Sequence, residues 1–258
     1  MAKLTILGSG SCIINQNNRC SSGYIVENKE VVMVDSGTGS TTNIHDSEYV
    51  VEDITAVFST HRHPDHISDL VPIVQDKVVR SMTSETANEL SLFGPEGHKK
   101  YVKDRMSHEM AESPQTVSEK FYPLKVEVLE SVQDFGELKV ETMKTDHGPE
   151  GFDCLSLVFE TEESSIGFTG DTDYFEGLEE FFQRVDLLVT DCSAPDHLKK
   201  EGHMTPTECG KLARKAEVGK LVLSHLYPDC DRHDIVSTAK KEFNGDIVVA
   251  EDLMSIKF

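Results

Sequence analysis

Apolar residues in this chain fall mostly in short runs, each closed by a polar or glycine-containing turn, a pattern that predicts strands. "KLTIL" (3–7) runs into "GSGS". "SGYIVEN" (22–28) and "EVVMVD" (30–35) flank a polar turn and read as a hairpin, with Asp35 at the end of its second strand. "ITAVFST" (54–60) reads as a buried strand. Later strands are predicted at 125–130, 138–145, 154–160, 164–170, 186–191, 220–225 and 246–252.

Helical spacing shows between these runs. Ile67, Leu70, Val74 and Val78 place a helix over 66–79, and Pro72 inside it predicts a kink or break. Further helices are predicted at 96–112, 175–184, 205–217 and 232–243. The third of these opens on "TPTE", with Thr205 as cap, Pro206 in the first turn and Glu208 soon after. Strands come first and then alternate with helices, without a low-complexity linker. That order predicts one α/β domain over 1–258, two sheets packed together with helices outside, a four-layer αββα sandwich. Periodicity alone does not select it over another α/β arrangement.

Charge narrows the function classes. Lys plus Arg is 25 and Asp plus Glu is 46, a formal net charge of −21. Such a charge works against non-specific binding to nucleic acid or acidic membranes. No signal-peptide pattern or membrane-length apolar run is visible, so a cytoplasmic protein that does not engage a membrane is expected. Cys12, Cys20, Cys154, Cys192, Cys209 and Cys230 form no CxxC pair and read as reduced thiols.

The chemistry concentrates in "THRHPDHISDL" (60–70), where His61, His63, Asp65 and His66 follow the 54–60 strand directly. The stretch is either a polar turn or half of a metal site. His147, Asp171 and His225 each follow a later predicted strand. Taken singly, a histidine there is more often a hydrogen-bonded structural residue, and Gly-Asp is common turn chemistry. Together with the 60–70 cluster they offer enough nitrogen and carboxylate donors for two ions of zinc, manganese or iron. "GSGS" (8–11) reads as a tight turn rather than a phosphate cradle, since no helix follows it. His45, His98, His108, His197 and His233 lie in charged stretches and are expected at the surface.

"THRHPDH" resembles the HxHxDH signature of the metallo-β-lactamase-fold hydrolases, and His147, Asp171 and His225 stand in the order of that family's remaining ligands. "LGSGSCIINQNNRCSSGYIVE" (7–27), "VVMVDSGTG" (31–39), "GFTGDT" (167–172) and the stretch 191–228 are similar to the ribonuclease Z branch. The resemblance implies one ion on His61, His63 and His147, a second on Asp65, His66 and His225, and Asp171 bridging them. It implies that His203, in "GHMT" (202–205), approaches the scissile group with Asp191 orienting it, and that Asp35 supports the metal loop. Ribonuclease Z carries a long arm for precursor tRNA between the ligands matching His147 and Asp171. Here only 148–170 lie between them, and two predicted strands and a turn account for those residues.

The expected protein is a dinuclear metal-dependent hydrolase holding two divalent ions, Zn2+ foremost and Mn2+ or Fe2+ also suited. It would act as a phosphodiesterase on a small anionic substrate through a metal-bridging hydroxide oriented by Asp65. Two divalent ions set against Asp65, Asp171 and one hydroxide sum to about +1, a local attraction for small anions within an acidic chain. His203 is the candidate proton donor to the leaving oxygen. Hydrolysis of a lactone, ester or thioester on the same metals is the alternative, and tRNA 3′-end cleavage a further one. Nucleic acid is an unfavoured partner, and a homodimer is compatible with the resemblance. A di-iron redox protein fits less well, because His63 stands where that group carries Glu. A metal-stabilised binding module would not need all seven ligand positions filled.

Overall fold

Two seven-stranded sheets carry the fold in a computed structural model that describes residues 2–13, 19–83 and 89–258. The first contains β1 (Lys3–Gly8), β2 (Gly23–Glu27), β3 (Val31–Ser36), β4 (Ala56–Phe58), β5 (Leu90–Gly94), β6 (Leu124–Val128) and β14 (Ser255–Lys257). The second contains β7 (Val132–Phe135), β8 (Leu138–Lys144), β9 (Leu155–Glu160), β10 (Ser165–Phe168), β11 (Leu187–Asp191), β12 (Lys220–Ser224) and β13 (Asp246–Val249). Each sheet is antiparallel on one side and parallel on the other: β3 to β6 run parallel in the first, β10 to β13 in the second.

The helices are α1 (Ser40–Asp46), α2 (Pro64–Ile67), α3 (Leu70–Ser81), α4 (His98–Glu109), α5 (Pro114–Lys120), α6 (Leu178–Phe181), α7 (Pro206–Lys215) and α8 (Ile235–Ala239). Three apolar clusters account for the layering. One joins the inner faces of both sheets through Ile6, Val34, Phe58, Phe159, Phe168 and Val222. A second seals α1, α3, α4 and α5 onto the first sheet through Ile44, Ile73 and Met106, and a third seals α6, α7 and α8 onto the second through Phe182, Leu212 and Ala239. Four layers result, because each sheet must bury both faces.

The run over 66–79 divides, but at Asp69 rather than at Pro72. Pro72 falls in the first turn of α3, where a missing N–H costs nothing. The chain bends at Asp69 because that carboxylate accepts from Gly39 N, Thr41 N and Thr41 Oγ1, at 3.1, 3.0 and 2.9 Å, at the start of α1. Thr205 caps α7 with Glu208 reciprocating, as the "TPTE" stretch predicts. The helices expected at 175–184 and 232–243 shrink to α6 and α8. The strands β5, β7 and β14 and the helices α1 and α5 were not signalled by periodicity. β7 and β14 are short strands at sheet edges with exposed positions, and edge strands need no regular apolar face.

His98 is buried beneath Gly94, contrary to the surface position its charged neighbours imply. The charged residues of α4 face outward, and the ring occupies the first position of that helix, turned into the layer boundary. His45, His108, His197 and His233 are exposed as expected. All six cysteines are free thiols. Among the described residues no helix is long and apolar enough to cross a membrane.

Candidate metal centre

Most of the chemical residues emerge at the carboxyl ends of parallel strands from both sheets, and His147 follows the antiparallel β8, so that all meet at one edge of the sandwich. Asp35 is the penultimate residue of β3, His61 follows β4, Asp171 follows β10, Asp191 ends β11 and His225 follows β12. Asp35 and His225 both adopt left-handed backbone, φ 55° in each case, which turns the chain sharply out of the strand. Pro64 opens α2, and within that single turn Asp65 and His66 are buried. The "GSGS" segment is a turn packed alongside: Leu226 N donates to Ser9 O at 2.9 Å, and Ser9 itself is tied to Asp252.

All seven residues implied as ligands converge. His63 Nδ1 lies 3.0 Å from His61 Nε2 and 3.2 Å from His147 Nε2. Asp171 Oδ2 is 3.7 Å from each of those Nε2 atoms. On the other side, Asp171 Oδ1 is 3.3 Å from His66 Nε2, and Asp171 Oδ2 is 3.5 Å from His225 Nε2. Asp65 Oδ2 completes that group at 3.8 Å from His66 Nε2 and 3.4 Å from His225 Nε2. One carboxylate, Asp171, therefore faces both groups.

The donor set fits divalent ions. His147 Nδ1 donates to Gly202 O at 2.9 Å, which leaves its Nε2 lone pair pointing inward. Thr60 Oγ1 donates to Asp35 Oδ2 at 2.9 Å and accepts from His61 Nδ1 at 3.0 Å, so His61 Nε2 is likewise an inward lone pair. His66 Nδ1 donates to Asp35 Oδ2 at 2.7 Å, and its Nε2 is buried with no hydrogen-bond partner. Ligand nitrogens on ions with bonds of about 2.0–2.1 Å stand a little over 3 Å apart, the spacing found around His63. A buried, unpartnered ring nitrogen facing carboxylates is otherwise costly.

Electrostatics point the same way. Burial pushes the His61 and His63 values down, which favours neutral rings, the form able to bind a metal. Burial acts downward on His66 too, but Asp171 and Asp35 outweigh it and push it up to about 10. Burial also opposes charge on His225, and again the carboxylates, Asp171 foremost, win and raise it. Burial works against ionised Asp171, yet His225 and His66 hold it well below the usual carboxylate range. These carboxylates demand positive charge beside them, as protons on the rings or as a bound cation in their place.

His203 and Asp191 lie side by side. His203 Nδ1 donates to Asp191 Oδ2 at 2.8 Å, and its ring lies 4.8 Å from that of His147 and 5.4 Å from that of His225. Asp171, Asp191, His203 and His225 form a further close acidic-histidine group, but hydrogen bonds among Asp191, Ser193 and the two rings already engage it. A cavity of about 440 Å³ opens beside His63 and His147, walled by Asp146, Asp173, Glu201 and Gly202. Between His147 and Asp171 the chain forms only a short loop, β9 and β10, with no projecting arm.

Sequence reading missed several supporting groups. Phe152 stacks on the His63 ring at 4.7 Å with an interplanar angle of 22°, and Arg62 lies 5.2 Å over Phe152. Nothing in a loop phenylalanine signals that contact. Gly202, at φ 77°, is a further supporting position: a Cβ there would lie 2.9 Å from His147 Nδ1. Thr60 and Ser193 stand beside the motif residues, and that nearness was their only signal.

Comparison with known proteins places the chain. Residues 18–226 match the family described as Beta-lactamase superfamily domain. The chain is 27% identical over 243 residues to "Probable metallo-hydrolase YhfI" of Bacillus subtilis, covering 91% of each. The crystal structure of that protein superposes with a TM-score of 0.81 at 22% identity over the whole of both chains. A ribonuclease Z of Borrelia duttonii is 24% identical over 309 residues, covering 98% of this chain and 96% of that one. That span exceeds the 258 residues here, so at least 51 positions stand opposite gaps in this chain. The crystal structure of a diphosphatase from the PhnP family shares the fold, with a TM-score of 0.76 at 17% identity over 100% of this chain and 98% of that one.

Proposed function

This chain belongs to the beta-lactamase superfamily and is a metal-dependent hydrolase, and on that premise we propose that it cleaves phosphodiester bonds in small anionic substrates with two divalent ions, zinc foremost. His61, His63 and His147 would hold one ion and Asp65, His66 and His225 the other, with Asp171 placed to serve both. Divalent ions there lower the pKa of water and stabilise the negative charge that develops during hydrolysis.

The observation that carries this reading is the His203–Asp191 pair set against the ligand cluster. Burial would strip the His203 proton, but Asp191 outweighs it and raises the value above that of a free imidazole, which favours the protonated ring. Asp191 occupies Nδ1, which leaves Nε2 to meet the substrate. A proton donor at that point serves an alkoxide leaving group, which departs poorly unprotonated. His225 and His66 outweigh burial and hold the Asp65 carboxyl below its ordinary value, so it would serve as an acceptor that orients the attacking water.

The acidic wall of the 440 Å³ cavity supports a small substrate over a polyanion, as does the net charge of −21. Ribonuclease Z-type cleavage of precursor tRNA is the second reading, favoured by the relatives of that name. The deciding experiment is an activity screen of zinc- and manganese-loaded protein on bis(p-nitrophenyl) phosphate, cyclic nucleotides, a lactone and a precursor tRNA. Turnover of the small phosphodiesters is expected. Cleavage of the lactone alone moves the chain to the ester alternative, and preference for precursor tRNA moves it to the second reading.

A further inference from the structure

We infer that Ser193 is a positioning residue that fixes His225 with Nδ1 protonated and Nε2 free to ligate, and ties that ligand to the His203–Asp191 pair through one hydroxyl. The inference rests on the two-ion reading above.

Ser193 is fully buried just beyond β11. Its Oγ has three polar neighbours: Asp191 Oδ1 at 2.6 Å, His225 Nδ1 at 2.9 Å and His203 Nδ1 at 3.1 Å. A hydroxyl carries one proton and two lone pairs, and a carboxylate can only accept. The proton therefore goes to Asp191, and what remains on Oγ can only accept. His225 Nδ1 must donate to it. The His225 lone pair is thereby placed on Nε2, the atom that faces Asp65 and Asp171 at 3.4 and 3.5 Å. The opposite tautomer would set lone pair against lone pair at Ser193 and turn an N–H into the ligand cluster. His203 Nδ1 shares its proton between Asp191 Oδ2, the nearer partner, and the same Oγ.

The backbone holds this hydroxyl in place from two segments. Ser193 N donates to Met204 O at 3.2 Å, beside His203, and Ser193 O accepts from Tyr227 N at 3.2 Å, two residues past His225. Asp191 Oδ1 also lies 3.4 Å from His225 Nδ1, too long to replace the 2.9 Å contact without movement. A serine that merely capped a strand end would need one partner. This one joins two imidazoles from different loops to one carboxylate. Such outer contacts typically set metal affinity by 10–100-fold.

The test compares wild-type protein, Ser193→Ala and Ser193→Thr. Zinc is titrated against a chromophoric chelator, and histidine ring nitrogens are followed by ¹⁵N NMR. Wild type should show two zinc equivalents and a solvent-protected His225 Nδ1–H. Ser193→Ala should weaken one equivalent by 10–100-fold, leave the other within threefold and lose the protected proton, with an unchanged circular dichroism spectrum. Ser193→Thr, which keeps the hydroxyl, should restore both. Ser193→Ala that retains both affinities within threefold and the protected proton overturns the inference. Failure of the two-ion reading shows separately, as wild-type stoichiometry below two, and the Nδ1–H signal, read in metal-free protein, then decides on Ser193 alone.

Discussion

His66 donates from Nδ1 to Asp35 Oδ2 at 2.7 Å, and this single bond decides which of its nitrogens faces the candidate metal site. Asp35 also accepts from Thr60 N at 2.7 Å, and the Thr60 hydroxyl in turn orients His61. One carboxylate at the end of β3 thus aims a ring in each ligand group. Asp35→Asn replaces an acceptor with an N–H₂ that opposes His66 Nδ1–H. We expect weaker binding of the His66-group ion by 10–100-fold and a stability loss of about 1–3 kcal/mol. Zinc competition titration and urea denaturation check the two effects separately, and unchanged affinity would show that His66 is oriented by packing alone.

Asp171 is the only one of the seven whose carboxylate faces both groups, 3.3 Å from His66 on one side and 3.7 Å from His61 and His147 on the other. Asp171→Ala should therefore loosen both ions together. Elemental analysis after dialysis against a weak chelator measures this directly. Retention of one full equivalent would make Asp171 a ligand to a single ion.

His203 separates phosphodiester from ester chemistry. Its Nδ1 is hydrogen-bonded to Asp191, which favours the protonated ring, and it ligates neither ion in the proposed arrangement. His203→Ala should lower phosphodiester turnover by about 10²–10⁴-fold, the usual worth of a positioned acid, with both metals retained. Activity on a substrate with a nitrophenolate leaving group, which needs little protonation, should fall much less. Equal losses on good and poor leaving groups would remove His203 from the proton-transfer role.

His98 predicts an acid limit on stability that is independent of the metal centre. It is buried with neither ring nitrogen hydrogen-bonded, and burial, with Arg62 nearby, lowers its value from 6.5 to about 4. Between those values the unfolded chain takes up the proton and the folded one resists it. The stability contribution is thus fully present above pH 6.5 and is lost as pH falls towards 4, by roughly 3 kcal/mol. His98→Phe removes the proton-binding group without breaking a hydrogen bond. Urea denaturation at pH 7, 5.5 and 4.5 should show wild type losing more stability than the variant across that range, and parallel losses would contradict the assignment.

Much of this protein could be read from local order. The proposed ligands His61, His63, Asp65 and His66 sit within one short stretch, and His147, Asp171 and His225 each follow an apolar run, so strand ends marked the candidate site before any contact was known. The capped start of α7 was equally local, since Thr205, Pro206 and Glu208 act within a single turn. Asp69 and His98 were not legible, because a helix break and a buried ring both depended on partners distant in sequence. The same holds for Phe152 on His63, Gly202 O on His147 Nδ1, and Ser193 between Asp191, His203 and His225. Sequence alone determined which residues could bind metal, because ligand chemistry belongs to the side chain. Tertiary structure decided which nitrogen of each imidazole faces the site, because that choice rests on a hydrogen bond from the other nitrogen to an atom the fold brings near.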